Sequence, residues 1–107
     1  LEIFLELGIL ERLGVPEDKM KRFILAVRDR MLDNPYHNWI HIFDVTQTVY
    51  ALGLMSGILA TLTDMECFAL FVSALCHDLE HPGVNNVYLI KSRSSLIALY
   101  SDESILE

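Results

Sequence analysis

Apolar residues recur at three- and four-residue intervals along most of this chain, the period of an α-helix with one buried face. Met20, Phe23, Ile24, Val27 and Met31 form one such stripe. Pro16 precedes it, and Glu17 and Asp18 occupy its first turn, where the helix dipole favours acids. This helix must end before Asn34-Pro35, because a residue preceding proline avoids the α region. A second helix is predicted to start near Tyr36 to Asn38 and to run through His41, Val45, Val49 and Leu52 toward Gly53 or Gly57. Thr63-Asp64-Met65-Glu66 has the form of a capping box, with Thr63 as N-cap and Glu66 reaching back. The helix it opens carries Cys67, Leu70, Phe71, Ala74 and Leu75 up to His77 and Asp78, and Pro82-Gly83 punctuates the chain soon afterwards. Short helices are expected over Asn85 to Lys91 and Ser94 to Tyr100. No stretch alternates with the period of a strand, so the predicted fold class is all-α.

Composition narrows this. With 107 residues, 52% of them hydrophobic, and only five Gly and three Pro, the chain is of folded type and holds at most one domain. It starts inside an apolar stretch, Leu1 to Leu5, and stops abruptly at Ser104-Ile105-Leu106-Glu107. The expectation is part of a larger helical domain, with apolar faces left to be covered. Val45 to Thr63 is 19 residues without a charge, near membrane-spanning length. It contains Thr46, Gln47, Thr48, Ser56, Thr61 and two glycines, and has no basic flank, so it reads as a buried helix and a turn. A net charge of −7 argues against a nucleic acid polymer as partner, because reading a phosphate backbone needs clustered Lys and Arg. It does not exclude a small phosphate ester, since bound metal reverses the local field. Cys67 and Cys76 are nine apart within an apolar helical pattern and read as reduced core thiols, which points to the cytoplasm.

The chemistry lies in the histidines. All four fall into two pairs with a spacing of four, His37/His41 and His77/His81. On a helix, residues four apart share a face, and imidazole and carboxylate are ligands of zinc and harder divalent metals. Asp78 adjoins His77; the two can bind one metal at a helix end, or Asp78 can bridge two ions. His81 is then a third ligand or a group that orients metal-bound water. In the first pair Asn38 stands where a zinc protease of H-E-x-x-H type has Glu, so that mechanism is excluded. One histidine on the metal and one free for acid–base work is the remaining division. The bland alternatives are histidines satisfied by backbone carbonyls or by the negative end of a helix, with Asp78 at the surface.

Tyr36-His37-Asn38 with His41 and Asp44-Val45, followed by His77-Asp78-Leu79-Glu80-His81-Pro82-Gly83-Val84-Asn85-Asn86-Val87-Tyr88, resembles the signatures of the class I cyclic nucleotide phosphodiesterases, within the HD-domain metal phosphohydrolases. Leu99 to Glu107 is similar to the segment that follows, although the family usually has Asn where this chain has Ser101. The resemblance covers at least residues 30 to 107 and implies an all-helical fold, of which residues 1–107 would be the N-terminal portion. It implies that His41, His77 and Asp78 bind zinc, with Asp78 bridging to magnesium or manganese. His37 would be the general acid, His81 and Glu107 would hydrogen-bond to waters on the metals, and Tyr36 and Asn85 would support the site. The family's second metal-binding aspartate, a further histidine, and the glutamine and aromatic residue that hold the purine would lie beyond residue 107.

The implied reaction is hydrolysis of cAMP or cGMP to the 5′ monophosphate, ending a cyclic nucleotide signal. Attack on a 3′,5′-phosphodiester needs a nucleophile stronger than neutral water and a proton for the departing 3′ oxygen, tasks suited to metal and to histidine. Two rivals remain: another HD-domain phosphohydrolase, disfavoured by the Tyr-His-Asn and Pro-Gly-x-Asn-Asn patterns, and a non-catalytic helical interaction module. Regulatory domains or a membrane attachment would belong to other parts of the parent chain.

Overall fold

The computed structural model describes residues 1–92 together with Ser95, Leu96, Leu99 and Leu106. Glu107 and most of the helix expected over Ser94 to Tyr100 lie outside the described residues. Among those described the structure is helical without strands: α1 (Glu2–Glu6), α2 (Ile9–Leu13), α3 (Glu17–Arg30), α4 (Trp39–Ser56), a 3₁₀ turn (Ile58–Thr61), α5 (Asp64–Cys76) and α6 (Asn86–Lys91). No helix among them is long and apolar enough to cross a membrane.

The sequence cues act where expected. Pro16 is the extended N-cap of α3, with Glu17 and Asp18 in its first turn. Thr63 and Glu66 form the complete capping box at the head of α5. Of the two glycines that could end α4, Gly57 does so, at φ 73° in the left-handed region. Gly53 serves packing instead, since a Cβ there would meet Leu59 Cγ at 2.7 Å. That close approach folds the 3₁₀ turn back on α4 and breaks the uncharged stretch into two elements. The apolar stretch Leu1 to Leu5 and the residues after it, up to Leu13, form two five-residue helices separated by Gly8 at φ 65°. Helices that short give no periodic signal.

Helix α4 packs against α5, and α2 and α3 also contact α5. Phe4, Ile9, Ile42 and Phe71 are the most deeply buried large side chains. Phe71 meets the ring of Phe4 edge-on at 5.9 Å and that of Tyr50 at 6.3 Å. Truncating such a core phenylalanine typically costs about 3–5 kcal/mol. This core fixes α4 against α5 and brings the loop before α4 beside the end of α5. Cys67 is buried, Cys76 half-buried, and both are free thiols.

Candidate metal centre

Neither histidine pair lies wholly on a helix, contrary to the same-face argument. Helix α4 begins at Trp39, so His37 belongs to the preceding loop. Helix α5 ends at Cys76; His77 is its C-cap, and Asp78, Glu80 and His81 occupy the turn beyond. The physical reason lies at a cap before α4 and in a left-handed residue after α5. The Asn38 side chain accepts from the His41 amide at 3.0 Å and so starts α4 after His37. Glu80 takes a positive φ of 56°, which a continuing helix does not permit.

These loops nevertheless bring the predicted residues together. Asp78 Oδ2 lies 3.2 Å from His41 Nε2 and 3.0 Å from His77 Nε2. The ligand atoms of His41, His77 and Asp78 all fall within 4.8 Å of one another, and so do those of His37, Asp78 and His81. Asp78 is thus common to both groups. The His37 and His81 rings stack, with centroids 3.8 Å apart and an interplanar angle of 15°. Tyr36 packs its ring 5.0 Å from His37 and 4.6 Å from His41. A cleft of about 630 Å³ runs over this cluster, lined by Tyr36, His37, Asp78, His81 and Asn85 among others. Asn85 is also the N-cap of α6, its side chain accepting from the Tyr88 amide at 2.8 Å.

The hydrogen bonds fix what these groups offer. His77 Nδ1 sits 2.7 Å from the Ala74 carbonyl oxygen, so it carries the proton and donates. In the neutral ring Nε2 then presents a lone pair to a carboxylate oxygen at 3.0 Å. Two lone pairs then face each other unless a proton on Nε2 or a metal ion stands between them. Ligands about 2.1 Å from a common ion lie about 3.0 Å apart at right angles and about 3.4 Å apart at the tetrahedral angle. The His–Asp spacings of 3.0 and 3.2 Å fall in that range, so the donor set fits a divalent metal. His77 donating to a carbonyl is also the usual way a ligating imidazole is oriented. His81 Nδ1, by contrast, accepts from the Gly83 amide at 3.0 Å, which leaves its proton on Nε2. Burial, and the charge of His37 beside it, push the His81 imidazole below its ordinary value, while Asp78 pulls the other way.

Two contributors escaped the sequence reading. Asn34 counted only as a helix stop before Pro35, yet its amide donates to the His81 carbonyl at 2.7 Å and to the His37 carbonyl at 3.2 Å. Asn38 enters the sequence reading in the Tyr36-His37-Asn38 motif, at the predicted helix start and as a departure from the zinc-protease pattern, with no role of its own, yet it caps α4 and donates to the Asn34 carbonyl at 2.8 Å. The Asn-Pro dipeptide and an asparagine just ahead of an apolar helix were the available signals.

Residues 36–107 match the family model described as 3'5'-cyclic nucleotide phosphodiesterase. The chain is 41% identical over 105 residues to the high affinity cGMP-specific 3',5'-cyclic phosphodiesterase 9A of Drosophila melanogaster, aligning 98% of the chain with 7% of that protein. It is 39% identical over its full length to the dual 3',5'-cyclic-AMP and -GMP phosphodiesterase 11A of Takifugu rubripes, covering 12% of it. Its fold matches the crystal structure of the phosphodiesterase domain of the RhoPDE fusion protein from the choanoflagellate Salpingoeca rosetta, with a TM-score of 0.88 at 37% identity. That match covers 98% of the chain and 33% of the solved one. The chain therefore spans about a tenth of the length of these curated relatives and a third of the structural one.

Proposed function

The chain belongs to the 3',5'-cyclic nucleotide phosphodiesterase family, and from that premise we propose that residues 1–107 are the N-terminal portion of one catalytic domain hydrolysing cAMP, cGMP or both. The product is the 5′ monophosphate, and the role is to end a cyclic nucleotide signal. One observation carries the reading more than any other: Asp78 Oδ2 approaches both His41 Nε2 and His77 Nε2 within 3.2 Å, at the edge of a cleft that also holds His37.

In this reading His41, His77 and Asp78 hold zinc, and Asp78, common to both ligand groups, also reaches a magnesium or manganese ion. When bound, the two divalent ions lower the pKa of attacking water to about 7 and offset charge on the phosphate oxygens. His37, grouped with Asp78 and His81, acts as the general acid. It donates its proton to the 3′ oxygen as the P–O3′ bond breaks, because an alkoxide is a poor leaving group; such transfer is typically worth about 10²–10⁴-fold. His81, with its proton on Nε2, is a hydrogen-bond donor toward the cleft and holds the His37 ring by stacking. Tyr36 restrains the His37 and His41 rings from outside, and Asn85 shapes the far rim while capping α6. Glu107 is assigned hydrogen bonding to the waters of the metals. A cytoplasmic location, with regulatory domains elsewhere in a longer chain, completes the reading and is supported by the two free thiols.

The test is hydrolysis of both nucleotides by the full-length protein, with and without a metal chelator. Expected is formation of the 5′ monophosphate, abolished by the chelator and restored by zinc with magnesium. Turnover that survives exhaustive chelation would refute the assignment, as would a 3′ monophosphate product.

A further inference from the structure

The loop before α4 and the turn after α5 are distant in sequence, and the Asn34 side-chain amide hydrogen-bonds to both. Asn34 Nδ2 donates to the carbonyl oxygens of both His37 and His81, at 3.2 and 2.7 Å. Both partners are acceptors, so only the NH₂ end of the side chain can face them. The backbone of Asn34 is tied as well: its carbonyl accepts from Asn38 Nδ2 at 2.8 Å, and Asn38 in turn accepts from the His41 amide at 3.0 Å. One string of bonds thus runs from His81 through Asn34 and Asn38 to His41. The other face of the Asn34 side chain lies against Gly83, where a Cβ would stand 2.5 Å from Asn34 Oδ1. Gly83 has φ 77°, so the position excludes a side chain on both conformational and steric grounds.

We propose that Asn34 is a positioning residue: it clasps the loop before α4 to the turn after α5 and so sets the stack of His37 on His81. The inference rests on the phosphodiesterase reading of the site. Without the clasp the two carbonyls are still solvated, but nothing else in the string fixes His37 relative to Asp78. A proton donor displaced by about 1 Å can cost about 10²-fold in rate. A group that orients only the acid affects only the step that needs a proton.

Asn34→Ala and the isosteric Asn34→Asp, made in the full-length protein, test this with two substrates. One is the cyclic nucleotide; the other is a nucleoside 5′-(p-nitrophenyl phosphate), whose leaving group needs no proton. Expected is a fall in kcat of about 10–10²-fold on the cyclic nucleotide. KM and zinc content should stay unchanged, and the loss on the p-nitrophenyl ester should be under about threefold, a split that His37→Ala shares and exceeds. Equal losses on both substrates, loss of zinc, or no loss at all would overturn the proposal, and so would failure of both variants to fold. If His37→Ala itself lowers both substrates equally, the acid role of His37 fails and carries the proposal with it; if the wild type turns over neither substrate, the phosphodiesterase reading fails first.

Discussion

At its N-terminal end α5 is held by residues three apart in sequence, Thr63 and Glu66 exchanging side-chain and backbone hydrogen bonds. At its C-terminal end it is held by residues about fifty apart. Glu80 takes a hydrogen bond from Arg30 across 50 positions, and the His81 carbonyl takes one from Asn34 across 47. None of the proposed site residues lies at the first end. The second carries His77, Asp78 and His81 through a turn in which Glu80 adopts a left-handed conformation disfavoured for L-residues by about 1–2 kcal/mol. A conformation of that kind persists only where the surroundings impose it. The cap at the helix head is thus local, while the turn at its tail is held in place by α3, α4 and their loops.

If that contrast is right, changes at the tail should destroy activity with little effect on stability, and changes at the head should do the reverse. The largest effect is expected from Asp78→Ala, which removes the carboxylate shared by both ligand groups. Activity should fall by about 10²–10³-fold or more, and elemental analysis should find the bound metal lost. Retention of metal and full activity would remove Asp78 from the site. Next comes His37→Ala, expected to lower kcat on a cyclic nucleotide by about 10²–10⁴-fold with metal content nearly intact. An ester with a good leaving group should suffer much less. Equal losses would mean that His37 holds the loop or its stacked partner His81 and does not give a proton.

At the head, Thr63→Ala should leave kcat and metal content untouched while lowering stability by about 1 kcal/mol, read as a shift in the urea midpoint at constant slope. Arg30→Ala makes the matching tail variant. Its ion pair with Glu80 is 2.8 Å long but largely exposed on both sides, so its loss should cost less stability than the cap. If Arg30→Ala proves the more destabilising of the two, the tail turn is a structural element in its own right.

The same division explains what the sequence made legible. Starts of α3 and α5, and the positions of α4 and α6, followed from prolines, acids, a capping box and apolar spacing, all of which act within a turn or two. The motifs imply that His37, His41, His77, Asp78 and His81 gather, and the structure groups them in two sets that share Asp78, but not by the helix geometry their spacing suggests. Spacing of four was taken to mean a shared helix face, whereas His37 and His81 lie in loops and His77 caps a helix. The four-residue rule fails there because Asn38 and Glu80 interrupt the helices. What grouped these residues was the resemblance of the two motifs, not their periodicity. Asn34 went unassigned for a related reason: its partners are carbonyls of His37 and His81, and a backbone carbonyl leaves no mark on composition. Gly8 and the split between α1 and α2 were hidden because five residues do not complete a periodic pattern.

The smallest expected effect lies at the head, where an ion pair joins residues far apart in sequence. Arg12 Nε donates to Asp64 Oδ2 at 2.9 Å, joining α2 to the first residue of α5. That bond, aided by the guanidinium charge and opposed by some desolvation, holds the Asp64 carboxyl below its ordinary value of 3.8. A carboxylate depressed in the folded state contributes stability that is present above pH 3.8 and is lost as pH falls through the lower folded value. Asp64→Asn should therefore be slightly less stable than the wild type near neutral pH, and the two midpoints should converge in acid below pH 3.8. Both side chains are substantially exposed, 53% for Arg12 and 39% for Asp64, so added salt should close the gap as well. Activity should not change at any pH where the wild type is folded, because the pair touches neither histidine loop. A pH-dependent loss of activity in Asp64→Asn would mean that the head of α5 transmits to its tail, and the division drawn between the two ends would not hold.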